Sequence, residues 1–406
     1  MRAPAPFFRF LLRLQGAIVV GATVDEVHDQ VLIQVRQHGN AKPHCPTCDR
    51  VMGGEVRWTE CRWRHFDLFS VKCFLVAQIR EARCPRHGRR LESVPWARGR
   101  ARHTAVFDQR VASLVQVADK TAAARMFGVA WRTVGRMVER VVKAFLPGDL
   151  LEGLEAIAVD ETSYKRGHRY LTVVTDLMTG RVVWVGEGKS AETLGGFFEL
   201  LGQRRRASIS VVCMDMGEAF RNAVQEWLPD ADIVYDRFHV VKLLLEAIDE
   251  VRRQACRETG GVAKHPLKNT RFALLRNPKH LRPQDQAAIA LVQQTNRRLA
   301  RAYELRVSFE DLWTLDDEDD ARSFLARWTR SALLSRLPPL RKFATTVRTH
   351  LEGILGFFRY WRQTSGPIEG MNNKIKLAIH RAYGFHSITA LVAMIHLCCS
   401  GIRLPV

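Results

Sequence analysis

Two short strings near the N-terminus carry ligand-type residues at metal-binding spacing. His44-Cys45-Pro46-Thr47-Cys48 supplies one Cys-x-x-Cys, and Cys84-Pro85-Arg86-His87-Gly88 supplies a Cys-x-x-His after 35 intervening residues. Three thiolates and one imidazole, Cys45, Cys48, Cys84 and His87, suit a tetrahedral Zn²⁺ site. Both strings share the form Cys-Pro-x-ligand, in which proline tightens the turn. The competing reading, buried cysteines and a surface histidine, does not explain that shared form. The ligand set is complete, so the expected zinc is structural and leaves no position open for water. Cys61 and Cys73 lack such spacing and are expected to be structural.

A second group is acidic. Asp160 closes an apolar run at Ile157–Val159, and Asp215 closes another at Ile209–Met214. If those runs are neighbouring strands, both carboxylates reach one sheet edge, where rigid paired carboxylates hold Mg²⁺ or Mn²⁺ for phosphoryl transfer. A strand-terminal Asp also serves as a turn residue or helix cap, and that alternative stands for each alone. Further on, Ser365 and Pro367 mark a helix start. Glu369, Asn373, Lys376 and His380 then share one polar face, with Ile368, Met371, Ile375 and Ile379 opposite. A carboxylate beside amide, ammonium and imidazole groups suits metal and phosphate, although an ordinary amphipathic surface helix has the same pattern.

The elements that must position these groups are legible as periodicity. Short alternating runs at Val31–Val35 and Phe74–Ile79 read as strands of a small N-terminal sheet. Residues 107–146 are helical by period with one break, at Gly128. Within them 121–127, the turn Gly128-Val129 and a second helix from Ala130 form a helix-turn-helix. Trp131, Arg132, Thr133 and Arg136 are expected to face DNA, with Val134, Met137 and Val138 packed inward. Residues 155–258 read as strands at Ile157–Val159, Tyr170–Thr175, Val182–Val185, Ile209–Met214 and Ile233–Tyr235, and helices at 191–203, 217–228 and 239–257. Residues 258–362 read as wholly helical. The acidic run around Asp316–Asp320 reads as a solvated face or a helix N-terminus.

Composition narrows the class. The chain has 406 residues, 47% hydrophobic and 26% charged, which suits a folded protein of two or three domains. Its 62 Lys+Arg against 42 Asp+Glu give a net charge of +20. Such an excess implies a polyanionic partner rather than a small acidic substrate. It is concentrated early, where Arg83, Arg86, Arg89, Arg90, Arg98, Arg100 and Arg102 stand against one acid, Glu92. Nine cysteines, two of them adjacent at Cys398 and Cys399, favour a reducing compartment over a disulfide scaffold. No apolar run is long enough to span a membrane. The apolar N-terminal stretch is interrupted by Arg9 and Arg13 and is read as mature protein.

The chain resembles a DDE transposase of the ISL-three insertion-sequence family. The resemblance rests on Ile157-Ala-Val-Asp-Glu-Thr, Val212-Cys-Met-Asp-Met, Tyr235-Asp-Arg-Phe-His-Val-Val-Lys242, Lys268-Asn-Thr-Arg-Phe-Ala-Leu-Leu275 and Ser365-Gly-Pro-Ile-Glu-Gly-Met-Asn-Asn-Lys-Ile-Lys376. It covers nearly the whole chain, and the last string is the most specific. It implies an α/β ribonuclease-H-like core with an all-helical insertion, after a small zinc-binding β domain and a helix-turn-helix. The resulting division is 1–100 for zinc, 101–150 for the helix-turn-helix, 151–257 and 363–406 for the core, and 258–362 for the insertion. Asp160, Asp215 and Glu369 are the implied catalytic triad. Members commonly have a second Cys-x-x-Cys, where this chain has His87. Asp236-x-x-His239 resembles a motif that follows the second acidic residue in related transposases. His239 then either touches the scissile phosphate or orients a metal ligand, unless it is a core histidine capping a helix.

The implied activity is metal-dependent cleavage at the ends of a mobile element, followed by joining to target DNA. The expected partners are double-stranded terminal inverted repeats, target DNA and a second copy of the chain, in the cytoplasm with the nucleoid. Two alternatives stand beside it: a non-catalytic zinc and helix-turn-helix regulator, and a metal-dependent nuclease without strand transfer.

Overall fold

The computed structural model describes residues 2–405 apart from positions 4, 13, 15, 39–41, 166, 259–265, 362–364, 382–384 and 386. The chain divides into two compact units, Met1–Gly148 with Leu377–Val406, and Asp149–Lys376.

The first unit opens with β1 (Arg2–Ala3), α1 (Ala5–Leu12), β2 (Ala17–Asp25), β3 (Gln30–Gln37), β4 (Gly53–Arg64), β5 (Lys72–Cys84) and β6 (Gly88–Leu91). The sheet order is β1-β2-β3-β5-β4, with β6 also on β5. Val31, Ile33 and Val35 on β3 and Cys73, Leu75, Ala77 and Ile79 on β5 are buried at alternate positions. That alternation is why these two runs were legible as strands. Trp63 and Trp96 close the same core edge to face, 5.5 Å between ring centroids. Burial raises the Cys73 thiol to about 12, which keeps it protonated and inert.

Three helices follow: α2 (Ala105–Val117), α3 (Lys120–Met126) and α4 (Trp131–Phe145). Besides the break at Gly128 there is a second, at Ala118-Asp119. The Asp119 carboxylate accepts the Ala122 N–H and caps α3. Gly128 has φ +59°, the left-handed conformation that ends α3 without Cβ strain. Asp108 accepts two hydrogen bonds from Arg140, at 2.7 and 2.9 Å, and so ties α2 to α4.

The second unit begins with β7 (Ala156–Lys165), β8 (Arg169–Asp176), β9 (Arg181–Glu187), α5 (Ala191–Arg206), β10 (Val211–Met214), α6 (Glu218–Trp227), β11 (Asp232–Tyr235) and α7 (Arg237–Glu258). Its sheet runs β11-β10-β7-β8-β9. β7, β8 and β9 pair antiparallel, whereas β10 is parallel to both β7 and β11. Phe197 and Phe198 of α5 and Phe220 of α6 pack with Ile157, Val174 and Val212 of the sheet in one core.

Residues 266–361 are helical, as expected, in α8 (Arg271–Leu275), α9 (Pro283–Thr295), α10 (Arg297–Glu310), α11 (Glu318–Leu334), α12 (Pro338–Thr349) and α13 (Leu351–Gly356), with short 3₁₀ and π segments before, between and after them. The acidic run is the N-terminus of α11, where Asp317 caps the Asp320 N–H. α13 lies on β11 because two glycines let it approach. A Cβ at Gly353 would come within 2.4 Å of the Tyr235 ring, and one at Gly356 within 2.7 Å of Val234. Tyr235 cannot yield freely, since its hydroxyl meets His350 Nδ1 at 2.9 Å. Gly353→Ala is therefore expected to destabilise the protein by about 1–3 kcal/mol through overpacking. A lower urea midpoint in equilibrium unfolding checks this.

The chain ends with α14 (Ser365–Arg381) and α15 (Ile388–Cys399). α15 and the following residues fill the core of the α2–α4 module. Ala393, Met394, Leu397, Ile402 and Leu404 pack with Phe107, Val111, Met137 and Val141. Gln116 reaches back from α2 to the Leu397 and Ile402 carbonyls at 2.9 and 3.1 Å. The sequence assigns 363–406 to the catalytic core, but Leu377–Val406 belong to the first unit. The packing of α15 is instead that of an apolar helix, and the amphipathic α4 supplies the matching face. Among the described residues, no helix is long and apolar enough to cross a membrane.

Candidate functional site

Asp160 and Asp215 line one pocket with Val173 and Thr175 of β8, Cys213, Asp236 and His239. The sheet brings them together. β10 pairs with β7 in the register Cys213↔Ala158, so Asp215 follows β10 at the level of Asp160. One expectation is corrected here. Asp160 does not end its strand, because β7 continues to Lys165. β8 pairs with β7 through Lys165↔Arg169, whereas β10 stops at Met214. Asp160 is thus held inside a strand by its pairing with Val173 of β8, and its other edge opens where β10 has ended.

Each carboxylate is held locally. Asp160 Oδ1 accepts the Glu161 N–H at 2.8 Å, and Asp215 Oδ1 accepts the Gly217 N–H at 2.9 Å. Burial raises the pKa of Asp160, opposed by His239, the Glu161 N–H and Lys376, while the Asp215 charge adds to the rise. His239, in the first turn of α7, sets Nε2 3.9 Å from Asp160 Oδ1 and 4.0 Å from Asp236 Oδ2. Asp236 in turn accepts the Phe238 N–H at 3.0 Å as α7 begins. Below them the fully buried Cys213 thiol is pushed up by its surroundings and stays protonated.

Glu369 lies on α14, and its side chain is outside the described residues. Asn373, Lys376 and His380 on the polar face of that helix are exposed, and Ile375 and Ile379 opposite them are buried. Lys376, two turns beyond Glu369, acts electrostatically on Asp160. Sequence reasoning gave no sign of Thr175 or Val173 in this pocket. Both belong to β8, whose contribution depends on its pairing with β7.

The N-terminal ligands converge as expected. The metal-binding atoms of Cys45, Cys48, Cys84 and His87 all lie within 4.8 Å of one another. Cys48 Sγ is 3.7 Å from Cys84 Sγ, and His87 Nδ1 is 3.7 Å from both Cys45 Sγ and Cys84 Sγ. A tetrahedron with Zn–S bonds of about 2.3 Å has edges of roughly 3.8 Å, so the cluster fits Zn²⁺. Burial alone would raise the Cys45 thiol, but the Thr47 and Cys48 amides together with the Cys84 and Cys48 thiols lower its pKa to about 6. The β5–β6 turn holds Cys84 and His87, with Cys84↔Gly88 as its last pair.

On the helix-turn-helix, Arg132 and Arg136 are exposed one turn apart at the start of α4, and Thr133 is half-buried. Val134, Met137 and Val138 are buried, as expected. Trp131 is half-buried, and the Lys120 ammonium lies 3.3 Å from its ring centroid. That engagement inside the module was not visible in the sequence. Lys120 itself is buried, and desolvation lowers its pKa to about 8, with Glu139 opposing.

Paired carboxylates on adjacent strands and a helix-turn-helix with exposed arginines, in one chain, are the parts of a DNA-processing enzyme. Residues 157–395 match a transposase family, and residues 92–142 match the helix-turn-helix domain of transposase family ISL3. The chain is 34% identical to the transposase for insertion sequence element IS1557 of Mycobacterium tuberculosis, covering 98% of this chain and 96% of that protein. It is also 34% identical to the transposase for insertion sequence element IS1001 of Bordetella parapertussis, covering 80% of each chain. The chain belongs to the ISL3 family of DDE transposases.

Proposed function

We propose that this transposase cuts the ends of its mobile element and joins them to target DNA at the pocket of Asp160 and Asp215, with Glu369 as third carboxylate. The observation that carries the reading is that Asp160 on β7 and Asp215, just past the end of the neighbouring β10, line one pocket. Three antiparallel strands followed by two parallel ones support a ribonuclease-H-like core. The helices between Asp215 and α14 then form an insertion, within the proposed limits 258–362. The core occupies 151–257 and returns with α14, after a zinc-binding part at 1–100 and the helix-turn-helix at 101–150.

The donors fit a hard divalent cation, because they are carboxylate oxygens and Asp160 is desolvated, a cost that a cation relieves. Mg²⁺ or Mn²⁺ held there would activate the attacking oxygen and stabilise the leaving one. Asp160 and Asp215 fix the position of the scissile phosphate through the rigid sheet. His239 orients Asp160 from the first turn of α7 and presents its ring to the same pocket. Because two ends must be joined, at least two copies act together on DNA, in the cytoplasm with the nucleoid. A supercoiled target incubated with pre-cut ends tests the reading. Joined product supports transposition, cutting alone supports a nuclease, and binding alone supports a regulator.

The exposed arginines of α4 are proposed to meet the terminal repeats. Arg132→Ala and Arg136→Ala should each weaken repeat binding by about 1–3 kcal/mol if the side chain reads a base. If the contact is to phosphate, the salt slope should fall by about 0.9. Titrations at several salt concentrations separate the two. A variant that binds repeats as the parent does removes that arginine from the interface.

A further inference from the structure

A second cavity shares Asp236 with the carboxylate pocket and has no part in the chemistry above. It measures about 670 Å³, within the roughly 300–1,000 Å³ usual for ligand sites. α7 brings Arg237 and Phe238 to it, the turn before α9 brings Lys279, and the end of α10 with the turn after it brings Glu310 and Trp313.

Phe238 is 55% exposed and stands edge to face with His239, 5.6 Å between ring centroids. A large ring left open at the edge of a catalytic pocket is a surface for something flat to cover. Trp313 is fixed by Phe357 at 5.2 Å and by the Arg237 guanidinium at 5.2 Å. Its ring thus forms a fixed wall of the cavity opposite the exposed Phe238. The charges are mixed but ordered. Glu310 is spent on Arg306 at 2.9 Å, and Asp236 accepts the Phe238 N–H. Asp311 lines the exposed rim, and Arg237 and Lys279 supply the cations.

An exposed stacking ring and two cations suit a nucleotide, with its base on the ring and its phosphate near the cations. A base inside a duplex cannot reach Phe238, because its faces are covered by its neighbours. We propose that this cavity takes one unpaired nucleotide of the bound DNA, its base stacked on Phe238, beside the phosphodiester cut at Asp160 and Asp215. The location rests on the catalytic reading, so the test separates the two.

The full-length protein is bound, without divalent metal, to duplexes carrying the element's end with 2-aminopurine at each position flanking the cut in turn. Fluorescence should rise several-fold at one position with the parent protein and with Phe238→Tyr, and stay at the free-duplex level with Phe238→Leu. Gel shifts on the same samples confirm that each complex has formed. With metal added, Phe238→Leu should cleave about tenfold more slowly. An abasic site at the responding position should restore its rate to within about twofold of the parent's, because no base then needs to be held out. A purely structural role for Phe238 predicts no such rescue. If the parent complex forms and cleaves but no position responds, or if Phe238→Leu responds like the parent, the cavity does not hold a nucleotide. If the parent binds and fails to cleave, the catalytic reading falls, and the fluorescence alone decides the cavity.

Discussion

Asp160→Asn and Asp215→Asn should each abolish end cleavage and strand transfer, by at least about 10³-fold, because a lost metal ligand forfeits several kcal/mol of transition-state stabilisation. Asparagine is the informative substitution. It keeps the volume and leaves a carbonyl oxygen to accept the Glu161 and Gly217 N–H groups, so the sheet edge is preserved and only the charge is lost. Glu369→Gln should behave in the same way. Binding to terminal repeats should survive in all three variants, since it is assigned to the helix-turn-helix. Glu161→Gln and Glu218→Gln are the controls. Glu161 lies 3.9 Å from Lys189, and the Glu218 side chain is 80% exposed. Quenched-flow or gel assays of cleavage on an end duplex measure the effect. Should Glu369→Gln cleave like the parent while the two aspartate variants are dead, the third ligand is another group, and Asp236 in the same pocket becomes the next to replace.

Loss of zinc should have an effect of similar size on the N-terminal sheet. Purified protein is expected to carry about one equivalent of Zn²⁺. Cys45→Ser and His87→Ala should remove it. Among the described residues the ligands have little apolar support of their own, Met52 and Ala82 packing with the cysteines. Structural zinc contributes on the order of 10 kcal/mol in small sites of this kind. The region from β4 to β6 should therefore loosen, and repeat binding should weaken with it. Metal analysis by mass spectrometry and amide exchange of the β5–β6 turn read both effects. Cys256→Ser, in the other unit, should keep its zinc. Full occupancy in both ligand variants would reject the assignment.

How far each site was legible follows from the range over which its residues interact. Cys45 with Cys48, and Cys84 with His87, are three residues apart, so a single turn sets each pair. The strands of the N-terminal sheet showed as alternation because one face of each is buried. The α3 cap at Asp119 was equally local. The helical period continues across it and hides it. Asp160 was placed at a strand end because the apolar run stops at Val159, but strand length there is decided by pairing with β8, which no local pattern reports.

From the sequence alone came the ligand strings, the acidic residues, the helix-turn-helix, the alternation of strands with helices and the resemblance to transposases. These depend on side-chain type and on contacts within a few residues. Only the tertiary structure decided that β10 lies beside β7, that α15 completes the helix-turn-helix core, that Lys120 sits under Trp131, and that Phe238 borders a cavity closed by Trp313. Apart from the Lys120–Trp131 contact between the consecutive helices α3 and α4, each of these joins elements far apart in the chain. Their meeting is set by which buried faces fit one another, and that fit is a property of the packed core rather than of any one segment.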